Sequence, residues 1–377
     1  MKVRLGDYIH EYSVKNKTVE KIPVYSVTNT QGFCRDYFGK EVASKNKSTY
    51  KIVPKGYFAY NPSRINVGSV DWQRYEEKVI VSPLYNVFSV SPELNQQYLY
   101  YYLKSDVTLY FIKAIATGSV RDNLKLDMLY EFPINLPNLE KQEKIVQILD
   151  TLQSIITHHN QQLSKLDELV KARFVEMFGN EKQFDLWICG IIEDIADVCV
   201  GVVIKPTQYY TDKEKGIRTF RSLNVGCMYI KDSDWVYFTK DGHEKNQKSI
   251  IRENDVLVVR SGNPGTACVA TSKYAGSNAV DIIIARPDLN KINPVFLAMF
   301  TNMPHGMNQI SERTGGAAQQ HFNVSGYKSL SLIIPPLSLQ QQFADFVTQV
   351  EKVKSKVKES LDNAQTLFDS LMQEYFG

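Results

Sequence analysis

Residues 136–150 read LPNLEKQEKIVQILD and residues 334–348 read IPPLSLQQQFADFVT. Laid over one another at an offset of 198, they match Pro137 with Pro335, Leu139 with Leu337 and Gln142 with Gln340. Apolar positions coincide as well, at Ile145 with Phe343 and Ile148 with Phe346. Each stretch opens a segment without glycine or proline, Asn138 to Phe178 and Leu337 to Phe376. Such a run, rich in Gln, Glu, Lys and Leu, predicts a continuous helix. Both are entered through proline, which suits a helix start and not its interior.

The apolar residues of these segments recur on alternating steps of three and four, the mark of a coiled-coil seam. The first seam is read as Leu149, Leu152, Ile156, Leu163, Leu166 and Val170, with His159 and Arg173 in two of its slots. The second is read as Phe346, Val350, Val353, Val357, Ala364 and Leu367, with Ser360 in one slot. Helices of roughly 35 residues are about 50 Å long at 1.5 Å per residue. Two exposed stripes of that length bury each other most simply by pairing. Both segments close alike, at Phe178-Gly179 and Phe376-Gly377, again 198 apart. Glycine after the last turn is a common helix stop.

Working outward, the segments before the helices repeat loosely. IPVYSVTNTQG (22–32) parallels IRTFRSLNVG (217–226), with Asn29 against Asn224. YKIVPKGYFAYNPSR (50–64) parallels KSIIRENDVLVVRSGN (248–263). YNVFSVSPELNQQYLYYYLKSD (85–106) parallels AVDIIIARPDLNKINPVFLAMFTN (279–302), and TGSVRDNL (117–124) parallels TGGAAQQHFN (314–323). Short runs of Val, Ile, Tyr and Phe bounded by Gly, Pro and Asn predict strands. With interleaved helices, the expected fold class is α+β: two similar mixed α/β domains in tandem, separated by two long antiparallel coiled-coil helices with a pseudo-two-fold relation. The expected borders are 1–137 and 180–335 for the domains, 138–179 and 336–377 for the helices.

The chain has 377 residues, too many for one ordinary core. It is 43% hydrophobic and 23% charged, ordinary for a globular protein. No apolar run approaches a membrane span, and the first residues do not resemble a signal peptide. Five scattered cysteines form no C-x-x-C pair, so neither a disulfide framework nor a zinc site is expected, and a reducing cytoplasm fits best. The net charge is only +3, but residues 35–55 hold six Lys/Arg against two acids, and 205–221 hold five against two. From charge alone the simpler reading is two solvated polar loops; the other is an electrostatic footprint for nucleic acid.

Catalytic motifs are scarce. NPSR (61–64) falls short of the [N/D]-P-P-[Y/F] loop of adenine methyltransferases at Ser63 and Arg64. SGNPGTA (261–267) lacks the lysine of a phosphate loop, and no H-E-x-x-H or G-x-S-x-G occurs. His158 and His159 have no second ligand at helical spacing. The tyrosines of YLYYYL (98–103) fit core packing better than base stacking.

A globular segment, then LP-x-L-x-x-Q opening a long helix, then both again, resembles the specificity subunit of type I DNA restriction–modification systems. The likeness spans the chain and includes the TGSVRDNL turn and the FG endings; the second opening departs at Gln341. The resemblance implies two target recognition domains, each reading one half of a split site in double-stranded DNA, with the helices as spacer regions that set the gap and dock partners. It implies a non-catalytic chain without a cofactor of its own. Two adenine-N6 methyltransferase subunits and restriction subunits would bring S-adenosylmethionine, ATP and Mg. No membrane partner is implied. Phosphates are held by Lys and Arg, and base edges are read by Arg, Asn and Gln. Candidates are Lys45, Lys47, Lys51, Arg64 and Arg121 in the first half, and Lys205, Arg218, Arg221, Arg260, Arg313, Gln319 and Gln320 in the second. Two alternatives stand beside this reading: a coiled-coil interaction scaffold without DNA specificity, and a methyltransferase acting alone.

Overall fold

The two breaker-free segments form unbroken α-helices, Leu139–Phe178 and Leu337–Phe376, of 40 residues each. That is about 60 Å of helix. In the computed structural model, which describes residues 2–18, 20–35, 47–116, 123–314 and 321–377, the first helix is capped by Asn138. Its Oδ1 accepts from the Lys141 amide at 3.0 Å, satisfying a donor that the first turn leaves open. The helix stops at Gly179, whose φ is +84°, and the glycine amide returns to the Val175 carbonyl at 2.8 Å.

The chain divides into two compact units, and the division passes through both helices. One unit comprises Met1–Gln161 with Lys358–Gly377, the other Gln162–Val357. The borders expected from sequence follow the ends of elements, whereas these units take half of each helix.

In the first unit an antiparallel sheet runs in the order Ile9–Glu11, Asn86–Val90, Phe58–Tyr60, Val70–Trp72. Lys2–Arg4 pairs separately with Pro133–Asn135, the strand that leads into the first long helix. Helix Gln96–Lys104 lays Tyr98, Leu99, Tyr101, Tyr102 and Leu103 into the core. The tyrosines of YLYYYL are therefore packing residues, with their hydroxyls satisfied: Tyr98 donates to the Asn135 carbonyl and Tyr102 to the Pro133 carbonyl. Ile145 and Leu149 of one long helix and Phe376 of the other close the same core. The Phe376 ring lies 5.0 Å from that of Tyr98. Outside this frame lie a hairpin, Ser26–Thr28 with Gly32–Cys34, and a ribbon, Lys51–Pro54 with Lys78–Val81.

The second unit repeats the frame. Its sheet runs Ala196–Val200, Ile282–Pro287, Val256–Val259, Ala267–Val269, and Cys189–Ile191 pairs with Ser331–Ile333. Helix Pro294–Asn302 takes the place of Gln96–Lys104, and the Phe178 ring sits 4.9 Å from that of Phe296. What surrounds the frame differs. Here a second four-stranded sheet is built from Tyr210–Thr211, Val236–Phe238, Ile217–Phe220 and Asn278–Ala279.

The shared glutamine of the repeated stretch has the same work in both units. Gln142 is fully buried. Its Oε1 accepts from the Asn95 amide at 2.8 Å, and its Nε2 donates to the Glu93 and Pro137 carbonyls, both at 2.9 Å. Gln340, also fully buried, accepts from the Asn293 amide at 2.7 Å and donates to the Lys291 and Pro335 carbonyls at 3.2 and 2.7 Å. Asn95 and Asn293 are in turn the side-chain caps of the two core helices. One amide side chain thus ties the start of a long helix to the start of a core helix and satisfies three buried backbone groups.

The first seam is buried at Leu149, Leu152, Ile156 and Val170 and half-buried at Leu163 and Leu166. The helix pieces in each unit run antiparallel: Phe343 meets Phe174 and Phe178, while Lys354, further along, meets Asp167. The second seam needs a correction. Val350 and Ala364 are buried and Val357 half-buried, but Val353 and Leu367 are about half exposed (48% and 50%). Phe346 is half-buried under the Arg173 guanidinium. The inward places next to them belong to Val347, Lys354 and Phe368. A buried lysine broke the expected pattern. Lys354 donates to Asp167 and Glu351, both at 2.7 Å. Burial presses its ammonium toward neutrality, yet these two hydrogen bonds hold its pKa above the usual lysine value.

Candidate nucleic-acid interface

Lys45, Arg121, Gln319 and Gln320 lie outside the described residues. Lys47 is half-buried just ahead of the ribbon. Lys51 donates to the Tyr85 carbonyl at 2.7 Å, and burial lowers its pKa, so much of its charge serves the head itself. Arg64 is exposed at the start of the short helical turn Ile65–Val67.

In the second head, Lys205 is exposed at a left-handed φ of +44°, before Pro206. Arg218 lies over the rings of Trp235 and Tyr274, 5.1 and 5.5 Å from their centroids, a cation–π arrangement that leaves it half-exposed. Arg221 donates to the Asp234 carbonyl. Arg313 donates to the Gln309 carbonyl at 2.9 Å and the Ser329 carbonyl at 3.4 Å, within and beside its own helix.

Arg260 is held inside its head. Its Nη1 pairs with Asp281 at 2.7 Å and its Nε donates to the Phe322 carbonyl at 3.0 Å. Ser261 donates to the other oxygen of Asp281 at 2.7 Å and meets Nδ1 of His321 at 2.8 Å. Serine stands in the middle of this chain of contacts, so the imidazole is not placed between a carboxylate and a nucleophile as acyl-transfer chemistry requires.

The two rims share one backbone tie, and at the same offset Arg260 stands where the first head has Pro62, and Gly262 stands where the first head has Arg64. The Leu124 amide donates to the Pro62 carbonyl at 3.1 Å, and the Phe322 amide donates to the Arg260 carbonyl at 3.0 Å. Both donors and both acceptors are 198 apart. At this matched place the second head carries the Arg260–Asp281 network. The first head carries instead a polar hollow of about 240 Å³ lined by Ser26, Val27, Thr28, Asn29, Asn61, Arg64, Ser69 and Tyr85. Nothing local in the sequence marks Ser69; Asn29, Asn61 and Tyr85 are visible only within the repeated stretches. Asn224, which aligns with Asn29, is fully buried and bonded to the Lys231 and Ser233 carbonyls. Asn29 is exposed.

Among the described residues no group of three or more His, Cys, Asp or Glu is placed to hold a metal ion, and no helix is long and apolar enough to cross a membrane.

The frame and its duplication have close parallels among known proteins. The family model for the type I restriction modification DNA specificity domain matches twice, over residues 5–168 and 205–364. The type I restriction enzyme StySPI specificity subunit of Salmonella potsdam is 21% identical over 98% of this chain and 84% of its own length. The EcoBI specificity subunit of Escherichia coli is 20% identical over 89% of this chain and 76% of its own. The S subunit of a type I restriction–modification system from M. genitalium matches in fold with a TM-score of 0.59 at 15% identity, covering 100% of this chain and 96% of that one. A chain from a structure concerned with complex assembly of the type I R-M system matches with a TM-score of 0.60 at 16% identity, covering 100% and 97%.

Proposed function

The chain belongs to the type I restriction–modification DNA specificity family, and from that premise we propose how its two heads divide the work. Its function is that of a specificity subunit, and the scaffold without DNA specificity is set aside. Each head reads one half of a split site in double-stranded DNA. The sheet frame is common to both heads and the segments around it are not, so the two half-sites differ. The long helices that run through both units set the unread gap and carry the docking surface for partners. The observation that carries this reading is the family match falling once on each half, over a frame duplicated down to the hydrogen bonds of Gln142 and Gln340.

The subunit recognises and does not catalyse. In the assembled complex, two methyltransferase subunits transfer a methyl group from S-adenosylmethionine to adenine N6, and restriction subunits use ATP and Mg. The assembly works in the cytoplasm. The modest net charge of +3 is compatible with DNA binding when partners supply much of the phosphate neutralisation.

The test is to reconstitute the complex with its methyltransferase subunits and map adenine methylation by single-molecule sequencing. Two short half-sites separated by unread positions are expected; methylation at a continuous motif would refute the proposal. Inserting four residues into each helix, near Leu163 and Val357, should change the gap and leave both half-sites as they are. A change in the half-sites themselves would refute the division of labour.

A further inference from the structure

The matched rims of the two heads do not present the same chemistry, and the difference assigns a specific task to one residue. We infer that Arg64 reads a guanine in the half-site of the first head, whereas Arg260, at the matching rim of the second head, reads no base and holds its own head together. This rests on the DNA-reading function proposed above.

Three observations carry it. The backbone that bears Arg64 is fixed: its amide donates to the Asn61 carbonyl at 3.0 Å, and its carbonyl accepts from the Val67 and Ser69 amides at 3.2 and 3.1 Å. Asn61 braces the same turn, its Oδ1 accepting from the Ser63 amide at 3.1 Å. The side chain itself is exposed. A guanidinium on a rigid base with a free end is pre-organised for bidentate contact.

The surroundings favour a base edge over a phosphate. The hollow beside Arg64 is walled by the uncharged polar residues Thr28, Asn29, Asn61 and Ser69. Among the described residues, the cation beside this turn, Lys104, is engaged by the Asn29 carbonyl at 3.0 Å and by the Gly68 carbonyl. Phosphate binding gains from several cations acting together, whereas reading needs one fork among directional neutral partners. Guanine offers O6 and N7 as two acceptors in the major groove, which an arginine fork matches.

In the second head Gly262 stands at the position that aligns with Arg64, and Arg260, two residues before it, has no such freedom. Its side chain is only 20% exposed and is engaged by Asp281 and the Phe322 carbonyl.

The experiment uses the reconstituted complex to methylate a library of randomised duplexes, with Arg64→Ala, Arg64→Lys and Arg260→Ala compared against the native chain. Arg64→Ala should relax the preference for guanine at one position of one half-site by about ten- to a hundredfold, with the other half-site unchanged as the internal control for folding. Arg64→Lys should keep most of the overall methylation and lose most of that preference. Arg260→Ala should leave the bases of both half-sites unaltered and speed amide exchange in the second head. A uniform loss with no change in base preference would make Arg64 a phosphate contact and overturn the inference, as would an unchanged motif. A base change in the second half-site on Arg260→Ala would overturn its other part. If the native complex itself methylates no split site, the parent reading fails instead.

Discussion

The first and second heads share a sheet, a core helix and a buried glutamine, yet one leaves its rim open and the other locks it. In the first, Arg64 stands free above a polar hollow. In the second, glycine stands at the aligned position, Gly262, and the Arg260–Asp281 pair ties up the rim beside it. The frame repeats because its parts answer to one another through buried hydrogen bonds that fail together. The rim is free to diverge because exposed loops carry few such obligations.

Five substitutions probe how far the likeness extends. The largest effects are expected at the aromatic ends of the long helices. Phe178→Ala opens a core in which Phe178 touches the rings of Phe174, Trp187, Phe296 and Phe343. It should cost about 4 kcal/mol. Phe376→Ala removes ring contacts with two residues, Tyr98 and Tyr102, and should cost about 3 kcal/mol. Amide exchange followed separately in each head would show the first loss in the second head and the second loss in the first; the reverse assignment would break the comparison.

Next come the glutamines. Gln142→Leu and Gln340→Leu each strand one buried amide and two carbonyls, and each should cost about 2–3 kcal/mol. Because the three bonds are the same in both heads, thermal and denaturant unfolding should report similar losses. A twofold difference would show that one joint is ornamental.

The smallest effect is expected from Asp281→Asn, which keeps the side-chain shape and removes the charge facing Arg260. The pair is partly exposed, at 20% and 30%, so about 1 kcal/mol is expected, confined to the second head. No counterpart in the first head should respond.

Much of this frame was legible in the sequence. Proline, leucine and glutamine at a constant offset marked both helix starts, and the absence of breakers gave both helices their full length. The inner residues of the first helix followed from spacing alone. The second helix departs from its spacing at Val353, where a paired lysine, Lys354, lies inside instead, and at Leu367, where Phe368 turns inward. No single-residue scale registers that Asp167, far away in sequence, supplies the partner. The rims were the least legible. Arg64, Arg260 and Arg221 look alike as letters, and only the tertiary partners Asp281, Phe322 and Asp234 tell a free guanidinium from an engaged one. The tie between Tyr98 and Phe376 was equally hidden, since nothing local predicts which head receives the end of which helix.

That last contact has a bearing on how the molecule comes into being. Residues 162–357 form the second unit from one uninterrupted stretch, but the first unit needs residues 358–377 to complete its interior. At about 5–20 residues per second, the early head waits on the order of ten to forty seconds on the ribosome for its final helix, with Tyr98 and Tyr102 uncovered meanwhile. The head synthesised first is therefore the one finished last, and this interval is when the nascent chain is most open to capture by chaperones or to sticking to its neighbours.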